Sequence, residues 1–336
     1  MKAIVQDGYG SADVLRLEET DLPVVGADEV LVRVRAASVN PDIWHVMHGW
    51  PYVLRLMGSG LRRPKKRVPG TDMAGHVEAV GRNVTRFQPG DAVFGETLSG
   101  HQWTNGGTFA EYVSVPQDLL ALKPDNVTFE QAAAVPTSGL IALQNFRDAG
   151  QVKPGQQVLI NGAAGGVGAI ALQLCKAWGA EVTGVDHSTK LDLVRALGAD
   201  HVLDFTQEDF TQGRQRYHLI FDIPGNHPFS ACRRALTPDG TYVLIGHDQF
   251  GEPGRRILGG VPKALGLMAL ARFVSQLPKP NMTMLNKKEA LAVLREFLEA
   301  GKLTPIIDRT FPLQEAPEAM RYLQTGQASG KIVITI

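Results

Sequence analysis

The hydrophobic pattern divides the chain into two parts that differ in period. Over about the first 120 residues, short apolar runs rich in β-branched residues are separated by Gly and Pro, which is typical of strands and turns. The run Glu29-Val-Leu-Val-Arg-Val-Arg partly alternates, as a half-buried strand does. We predict strands at 1–5, 29–37, 74–80 and 109–115, which together indicate a compact β-barrel-like unit.

From about residue 126 the pattern changes to strands that alternate with helices. Thr128 is placed to cap a helix, and Gln131 three residues later completes a capping box. Apolar runs predict strands at 158–161, 181–185, 201–203, 219–222 and 241–245, and helices at 169–178, 191–197 and 287–300, before a final strand at 331–336. Such alternation indicates parallel βαβ units with right-handed crossovers.

The composition is that of an ordinary globular protein. The length of 336 residues favours two domains, and the net charge of zero gives no overall attraction to nucleic acid. The two cysteines, Cys175 and Cys232, exclude a disulfide framework, and Cys175 is expected to be a buried, inert thiol. One dense basic cluster beside Pro and Gly is predicted to be a solvated loop: Arg62, Arg63, Lys65, Lys66 and Arg67.

The most apolar long segment, 257–277, contains Pro262, Lys263 and Arg272, so we predict no membrane span. It is expected to be an amphipathic lid or dimer helix, with a membrane-surface helix as the less favoured alternative. The N-terminus lacks the apolar core of a signal peptide, so a cytoplasmic location is expected.

The most informative segment runs from Val158 to Gly168, where a strand leads through a glycine-rich turn into a helix. Backbone N–H groups in such a turn approach a pyrophosphate, and the helix N-terminus adds its positive dipole end. Ala163 stands where the usual first glycine would be, so the motif is a variant. The residues predicted to contact a dinucleotide here are Gly162, Ala163, Gly165, Gly166, Val167 and Gly168.

The second strand of this part ends near Asp186, at the spacing expected for an acid that binds the adenosine ribose. A ribose-binding Asp186 favours NADH. His187, Ser188 and Lys190 follow at once and offer a site for the 2′-phosphate of NADPH, which we prefer slightly. A third interpretation is that Asp186 only caps the next helix.

Together these residues and several further motifs resemble the quinone oxidoreductase branch of the medium-chain dehydrogenase/reductase superfamily. The motifs are Ala37-Ser-Val-Asn-Pro-Asp42, Pro69-Gly-Thr-Asp-Met-Ala-Gly75, Pro89-Gly-Asp-Ala-Val-Phe94, Gly107-Thr-Phe-Ala-Glu-Tyr112, Leu197-Gly-Ala-Asp200 and Gly330-Lys-Ile-Val333. Residues 184–226 look most similar to reticulon-interacting, mitochondrial-type oxidoreductases and their bacterial relatives. The resemblance implies a GroES-like catalytic domain (1–126 and 302–336) split around a Rossmann domain (127–301), and a homodimer.

The same superfamily contains zinc alcohol dehydrogenases, so the zinc positions bear on the chemistry. Where those enzymes have Cys, Gly-His-Glu and Cys, this chain has Asn40, Gly70-Thr71-Asp72 and about Ala134. His45 and His48 lack a clear third ligand, so we predict no bound zinc. Without a metal, an acceptor conjugated to oxygen, such as a quinone or an α,β-unsaturated carbonyl, is the easier substrate for hydride from NADPH or NADH.

The resemblance places Asn40, Thr137, Ser138 and Lys331 around the nicotinamide. Asn40 is also suited to a structural turn, Thr137 and Ser138 to helix caps, and Lys331 to the surface. Asn226 and Gly246 follow strands, where ligands of doubly wound sheets bind, so both are assigned to the cofactor site. Residues expected to line the substrate pocket are Trp44, His45, His48 and Tyr52. We name Asn40 and Tyr52 as catalytic candidates, with water as the other proton source.

Two other functions fit the sequence. One is a nucleotide-binding scaffold or redox sensor with little turnover, because a fold does not determine a function. The other is a zinc-free alcohol dehydrogenase or an enoyl-thioester reductase, for which the cluster at 62–67 is the candidate contact to a carrier phosphate.

Overall fold

The computed structural model describes residues 1–98, 103–148, 152–246, 257–279 and 285–336. The first part of the chain forms strands β1 (Lys2–Gln6), β2 (Leu15–Glu19), β3 (Glu29–Val39), β4 (Asp72–Val80), β5 (Ala92–Glu96), β6 (Tyr112–Pro116) and β7 (Leu120–Leu122). The second part adds β8 (Gln157–Asn161), β9 (Glu181–Asp186), β10 (His201–Asp204), β11 (Tyr217–Asp222) and β12 (Leu236–Leu244). The last two strands are β13 (Ile307–Pro312) and β14 (Lys331–Thr335).

Nine α-helices lie within the described ranges: α1 (Pro41–His48), α2 (Phe129–Ala133), α3 (Pro136–Asp148), α4 (Gly166–Ala177), α5 (Leu191–Ala196), α6 (Phe229–Arg234), α7 (Val261–Leu270), α8 (Lys287–Glu299) and α9 (Ala316–Gln324). A short π-helix occupies Arg55–Ser59. No helix of the described residues is long and apolar enough to cross a membrane.

Two sheets form the framework of the molecule. The larger one has the order β13-β14-β3-β4-β5-β7, with β6 also paired to β3, so the end of the chain returns to the sheet that its beginning built. The other has the order β10-β9-β8-β11-β12 and is parallel throughout, which is the Rossmann arrangement with helices connecting the strands. The fold is therefore α/β, as predicted, with a Rossmann sheet and a second, β-rich unit. The domain limits 1–126, 127–301 and 302–336 stay predictions.

Local sequence accounts for several of these elements. Thr128 accepts a hydrogen bond from the Gln131 backbone, and the Gln131 side chain accepts one from Thr128, so the predicted capping box is confirmed. Helix α8 begins after the cap residue Asn286, close to the predicted 287–300, and buries one apolar face. Both cysteines are buried, and burial raises the pKa of the Cys232 thiol to about 12.

Some predicted bounds were wrong. The helix predicted at 169–178 begins at Gly166, because the glycine turn itself supplies its first turn. The strand predicted at 109–115 begins at Tyr112, and the one predicted at 241–245 begins at Leu236. Helices α1, α3 and α9 were not recognised from the pattern. In α1 and α3 the buried residues are not confined to one face, so neither helix shows a clear amphipathic period. In the segment 257–277, only Val261–Leu270 forms a helix.

Candidate active site

The pairing of β3 with β4 places three polar side chains at one end of the larger sheet. In this antiparallel register Ser38 is opposite Asp72, and β3 ends one residue before Asn40. Asn40 stands at the N-cap of α1, but its side chain makes no capping hydrogen bond. Its amide nitrogen instead donates to Asp72 Oδ2 at 3.0 Å and to Thr71 Oγ1 at 3.2 Å. The side chain of Asn40 is therefore directed into the site rather than into the turn.

Asp72 is fully buried and is the hub of this site. Its Oδ2 accepts from Ser38 Oγ at 3.0 Å, and its Oδ1 accepts from Thr137 Oγ1 at 2.5 Å. The backbone N–H of Thr137, in the first turn of α3, donates to the same carboxylate at 3.1 Å. An ionised carboxylate is only an acceptor, and here every neighbour is a donor. Asp72 thus fixes Asn40 and the start of α3 relative to each other.

Lys331, the first residue of β14, places a buried ammonium group against this network. Its Nζ donates to Asn40 Oδ1 and lies 3.4 Å from Ser138 Oγ. Burial lowers the pKa of Lys331, while the negative charges of Asp72 and Asp42 act in the opposite direction. Four predicted residues, Asn40, Thr137, Ser138 and Lys331, are therefore brought together in one cluster.

Two further carboxyl groups lie close to this cluster and carry raised pKa values. Burial raises the pKa of Asp42 from 3.8 to about 7, with the charges of Asp72 and Glu96 adding to the effect. Burial also raises the pKa of Glu96 from 4.5 to about 7, although Lys287 pairs with it at 2.8 Å and opposes the shift. Asp42 Oδ1 makes no hydrogen bond within the described residues.

The glycine turn between β8 and α4 contacts the same strand as the cluster. The Gly330 N–H donates to Ala164 O at 2.7 Å, so the turn is joined to the residue before Lys331. Gly162 has a φ of +85°, which favours glycine, and a Cβ on Gly168 would collide with Gly162 O. A Cβ on Gly166 would press on the Lys331 side chain.

Gly165 differs from its neighbours, because the protein itself does not require a glycine there. Its φ of −75° and ψ of 170° suit any residue, and an added Cβ would meet only Gly162 O, at an ordinary 3.4 Å. The position is the N-cap of α4, where the first N–H groups of a helix lack partners within the helix. An open position beside these donors is the arrangement that a pyrophosphate needs.

The residues predicted to bind the adenosine end are close together but differ in availability. Asp186 is buried, and its two oxygens accept from the N–H groups of Ala164 at 2.8 Å and His187 at 2.9 Å. It therefore holds the glycine turn, and the helix-capping interpretation is wrong, since the His187 side chain caps the next short helix. Ser188 is exposed, whereas the Lys190 ammonium donates to the carbonyls of Gly326 and Ala328.

Asn226 and Gly246 lie at the carboxyl ends of β11 and β12, as predicted. Asn161, the last residue of β8, donates to Asn226 Oδ1 at 3.1 Å and to Asp222 Oδ1 at 2.8 Å. Gly246 donates its N–H to Ile223 O, and a Cβ on it would collide with that same oxygen. The strand ends thus form a continuous edge that leads from the glycine turn towards residue 246.

Comparisons with known proteins agree with this geometry. Residues 26–125 match the family model described as alcohol dehydrogenase GroES-like domain, and residues 197–334 match the one described as zinc-binding dehydrogenase. A tomato (Solanum lycopersicum) 2-methylene-furan-3-one reductase is 33% identical, over 99% of this chain and 79% of its own. The mouse (Mus musculus) mitochondrial NAD(P)H oxidoreductase RTN4IP1 is also 33% identical, over 100% and 89%. The structure of the Coxiella burnetii quinone oxidoreductase aligns with a TM-score of 0.83 at 28% identity, covering 100% of this chain and 99% of that one.

The chain belongs to the quinone oxidoreductase branch of the medium-chain dehydrogenase/reductase superfamily. The resemblance drawn from the motifs is confirmed, including the likeness to reticulon-interacting oxidoreductases. The GroES-like assignment of the β-rich unit is confirmed as well, since one family model covers residues 26–125.

The aromatic residues after Asn40 that are expected to line the substrate pocket differ in burial, and their role at the pocket stays a prediction. His45 and His48 are buried, and their Nδ1 atoms lie 2.9 Å from Trp50 O and 3.1 Å from Trp44 O. Burial lowers the pKa of His48. Tyr52 is 41% exposed, with the Arg55 guanidinium 4.6 Å from its ring centre, and it makes none of the hydrogen bonds of the Asn40 cluster. Its catalytic role stays a prediction.

The positions matched to the zinc ligands of the superfamily do not fit zinc. The Asn40 oxygen accepts a hydrogen bond from the Lys331 ammonium, and the Thr71 hydroxyl accepts one from Asn40. The atoms that would have to ligate zinc are therefore already hydrogen-bonded, next to a positive charge. Over the described ranges, no three His, Cys, Asp or Glu side chains are arranged to hold a metal ion.

Several residues of the site were not singled out from the sequence. Asp72 was considered only as the replacement of a zinc ligand. Ser38 and Asp42 appeared only within a motif, and Glu96 was not mentioned. Asp72 and Ser38 are 34 positions apart and meet through the β3–β4 register. The available signal was an acidic residue within the motif Pro69-Gly-Thr-Asp-Met-Ala-Gly75, just before the strand predicted at 74–80.

Proposed function

We propose that the protein reduces quinones or α,β-unsaturated carbonyls by hydride transfer from NADPH, without a metal. One observation carries the proposal: the glycine turn, open at Gly165, is joined through Gly330 to the Lys331–Asn40 pair. A turn suited to a dinucleotide pyrophosphate and a polar cluster suited to the nicotinamide end thus lie next to each other, which supports the proposal. The names of the tomato and Coxiella relatives, an enone reductase and a quinone oxidoreductase, support the choice of acceptor.

The chain's own residues supply binding and orientation. The N–H groups at the start of α4 would hold the pyrophosphate, and the Asn226–Gly246 edge would lie along the nicotinamide half. The bound cofactor supplies the hydride, which the protein has to align and shield from water. Asp72 holds Asn40 and Thr137 in fixed positions at the expected nicotinamide end.

Electrostatics around the cluster support a conjugated acceptor. When hydride adds to a carbon conjugated to oxygen, negative charge develops on that oxygen, and hydrogen-bond donors or a nearby cation stabilise it. The Lys331 ammonium is a buried cation with three N–H donors, of which Asn40 and Ser138 engage two. A lysine already in place makes a Lewis-acid metal unnecessary for this class of acceptor.

Three observations support NADPH rather than NADH. Both oxygens of Asp186 already accept backbone N–H groups, one of Ala164 in the glycine turn and one of His187, which leaves the carboxylate poorly placed for the ribose hydroxyls. The Ser188 hydroxyl is exposed at this edge. The Lys190 ammonium lies nearby and adds positive potential for a 2′-phosphate.

The test is a fluorescence titration of the purified protein with NADPH and NADH separately, followed by 1,4-benzoquinone or an enone. We expect NADPH to bind at least about tenfold more tightly, a difference of about 1.4 kcal/mol, and to be oxidised when either acceptor is added. Turnover should survive dialysis against a chelator. Tighter NADH binding would make Asp186 the ribose ligand after all. Binding without turnover would support a scaffold or sensor. The homodimer and the cytoplasmic location stay predictions.

A further inference from the structure

Two segments that are distant in sequence form one surface beside the candidate site. Residues 50–66, which follow α1, meet residues 257–279, which contain α7. The N–H of Val53 donates to Ile257 O at 3.1 Å, and Gly259 packs so closely on Pro51 that a Cβ would lie 2.7 Å from its Cγ. We call the surface made by these two segments the apolar–basic face.

The apolar–basic face exposes an unusual amount of apolar side chain. Helix α7 has ten residues, and none of them is buried. Phe273 is 86% exposed, Leu56 75%, and Leu61 and Ile257 67% each. The other exposed large apolar residues of the face are Met57, Leu258, Leu265, Met268 and Leu270. Isolated exposed apolar residues need no explanation, but a group of this size on two adjoining segments indicates an interaction surface.

The charge of the apolar–basic face is entirely positive. Residues 50–66 and 257–279 contain no Asp or Glu, although the whole chain has 34 of them and 34 Lys plus Arg. Eight basic residues lie in the two segments: Arg55, Arg62, Arg63, Lys65, Lys66, Lys263, Arg272 and Lys279. Arg62, Arg63, Lys65 and Lys66 are exposed and take part in none of the ion pairs described, whereas the next residue, Arg67, pairs with Asp7 and Glu18.

The combination of exposed apolar side chains with positive charge decides between a second copy of the chain and a lipid surface as the partner of the apolar–basic face. In a two-fold contact between copies of the chain, the same patch meets itself, so the exposed basic residues of each copy would face those of the other without an acid in either segment. An anionic lipid surface offers apolar chains to Phe273 and Leu56 and negative charge to the lysines and arginines at once.

We propose that the apolar–basic face docks on the surface of a bilayer that contains anionic phospholipid. The exposed side chains of α7 and of the π-helix Arg55–Ser59 enter the headgroup region, and the 62–66 loop contacts the lipid phosphates. The docked surface adjoins the segment that continues from Asn40 and α1. If the protein reduces quinones as proposed above, this orientation would admit an acceptor with a lipid tail directly from the bilayer; the docking itself does not rest on that function.

The experiment is co-sedimentation of the purified protein with vesicles of phosphatidylcholine alone or of phosphatidylcholine mixed with phosphatidylglycerol. We expect binding to the mixed vesicles that is at least about tenfold stronger than to the neutral ones and that weakens as salt is added. Two double variants should each reduce it by about tenfold or more: L265S with F273S removes apolar contacts, and K65E with K66E reverses charge.

Matched variants elsewhere control for general effects. L22S with V24S changes two exposed apolar residues outside the face, and R214E with K302E reverses two exposed charges outside it. Both should bind the mixed vesicles like the parent chain. Equal binding to neutral and anionic vesicles, or no binding to either, would overturn the proposal. A concentration-dependent dimer that L265S with F273S abolishes, without vesicle binding, would assign the face to a second copy instead. NADPH oxidation with a water-soluble quinone is independent of all these outcomes.

Discussion

Lys331 and Asn40 stand 291 positions apart in the sequence, yet the lysine ammonium donates a hydrogen bond to the asparagine carboxamide oxygen in the interior of the protein. Lys331 begins β14 and Asn40 directly follows β3, and these two strands are adjacent, with Ile332 opposite Val39. The end of the chain therefore completes a site that its first part begins. This pairing also joins the glycine turn, through Gly330, to the polar cluster.

Replacement of Lys331 by Met should slow the reduction of the acceptor more than it weakens the binding of the cofactor. The variant removes the buried cation next to Asn40 and Ser138, so we expect kcat/KM for benzoquinone to fall by about tenfold or more, with a smaller change in the NADPH Kd. Since Lys331 lowers the pKa of Asp42, that pKa should rise in the variant. Steady-state kinetics and a pH profile measure both effects.

The exposed Lys302 offers the matched control, because Lys302→Met removes a charge far from any described hydrogen bond of the site. Its kinetics should equal those of the parent. If Lys331→Met also keeps the parent kcat/KM, then the lysine serves only to fill the interior.

Asp72→Asn should weaken both the fold and the cofactor site. The carboxylate accepts from Ser38, Asn40 and Thr137, whereas a carboxamide would present an NH₂ group to at least one of these donors. The loss in free energy of unfolding should be about 2–3 kcal/mol, and the KM for NADPH should rise as Asn40 and Thr137 lose their fixed positions. Chemical denaturation and kinetics on the same preparation give both numbers.

Asp200 separates the two effects, because its carboxylate also accepts from Lys176 and from the Val182 N–H, but before the start of β10, at the other end of the sheet from the cofactor edge. Asp200→Asn should cost stability and leave the KM unchanged. A parallel rise of KM in both variants would show that Asp72 acts through stability alone.

Gly165→Ala should fold normally and lose cofactor affinity. The backbone angles suit alanine, and the added Cβ meets protein only at 3.4 Å, so the melting temperature should change little. The methyl group would occupy space that we assign to the pyrophosphate, so the NADPH Kd should rise by about tenfold or more. Titration followed by fluorescence, next to a melting curve, tests this.

Gly213→Ala is the control, since a Cβ there has only loose contacts and lies outside the turn. Gly168→Ala should instead destabilise the protein, because its Cβ would collide with Gly162 O. Unchanged NADPH affinity in Gly165→Ala would place the phosphates elsewhere.

Contiguous motifs carried most of what the sequence predicted correctly. The glycine turn, the capping box at Thr128 and the alternation that indicates a parallel sheet are local patterns, and each was recognised without tertiary information. Asn40, Thr137 and Lys331 were placed near the nicotinamide by resemblance alone. The structure adds that Lys331 donates to Asn40, and that Asn40 and Thr137 both donate to Asp72.

The network itself could not be read from the sequence. Asp72 has partners 34, 32 and 65 positions away, and only the β3–β4 register and the packing of α3 bring them together. In the same way, the role of Asp186 in holding Ala164 depends on the distance between two adjacent strand ends. Helix α7 was expected as a lid or dimer helix, because a pattern shows apolar residues but not whether they are covered.

The stability of the protein should depend on pH through Asp42. Burial raises the pKa of this carboxyl from 3.8 to about 7, so the folded state binds its proton more tightly than the unfolded state does. For a raised carboxyl pKa, the stabilisation is complete below the unfolded value and is lost as the pH rises through about 7. Asp42→Asn removes this dependence and should raise the melting temperature relative to the parent at about pH 8, and by less at about pH 5.

The melting temperatures of Asp42→Asn and of the parent have to be compared as a difference at each pH, because other groups titrate in the opposite sense. Asp204, for example, has a pKa that is lowered mainly by its hydrogen bonds to Thr206, so its contribution to the stability of the folded protein is lost as the pH falls. Glu96, whose pKa burial raises to about 7, titrates with Asp42 and is left unchanged in this experiment. The exposed Asp239→Asn provides the control, with the parent pH dependence expected. An Asp42→Asn curve parallel to the parent curve from about pH 5 to about pH 8 would mean that Asp42 stays ionised in the folded protein, and that its carboxylate is compensated by Lys331 rather than neutralised by a proton.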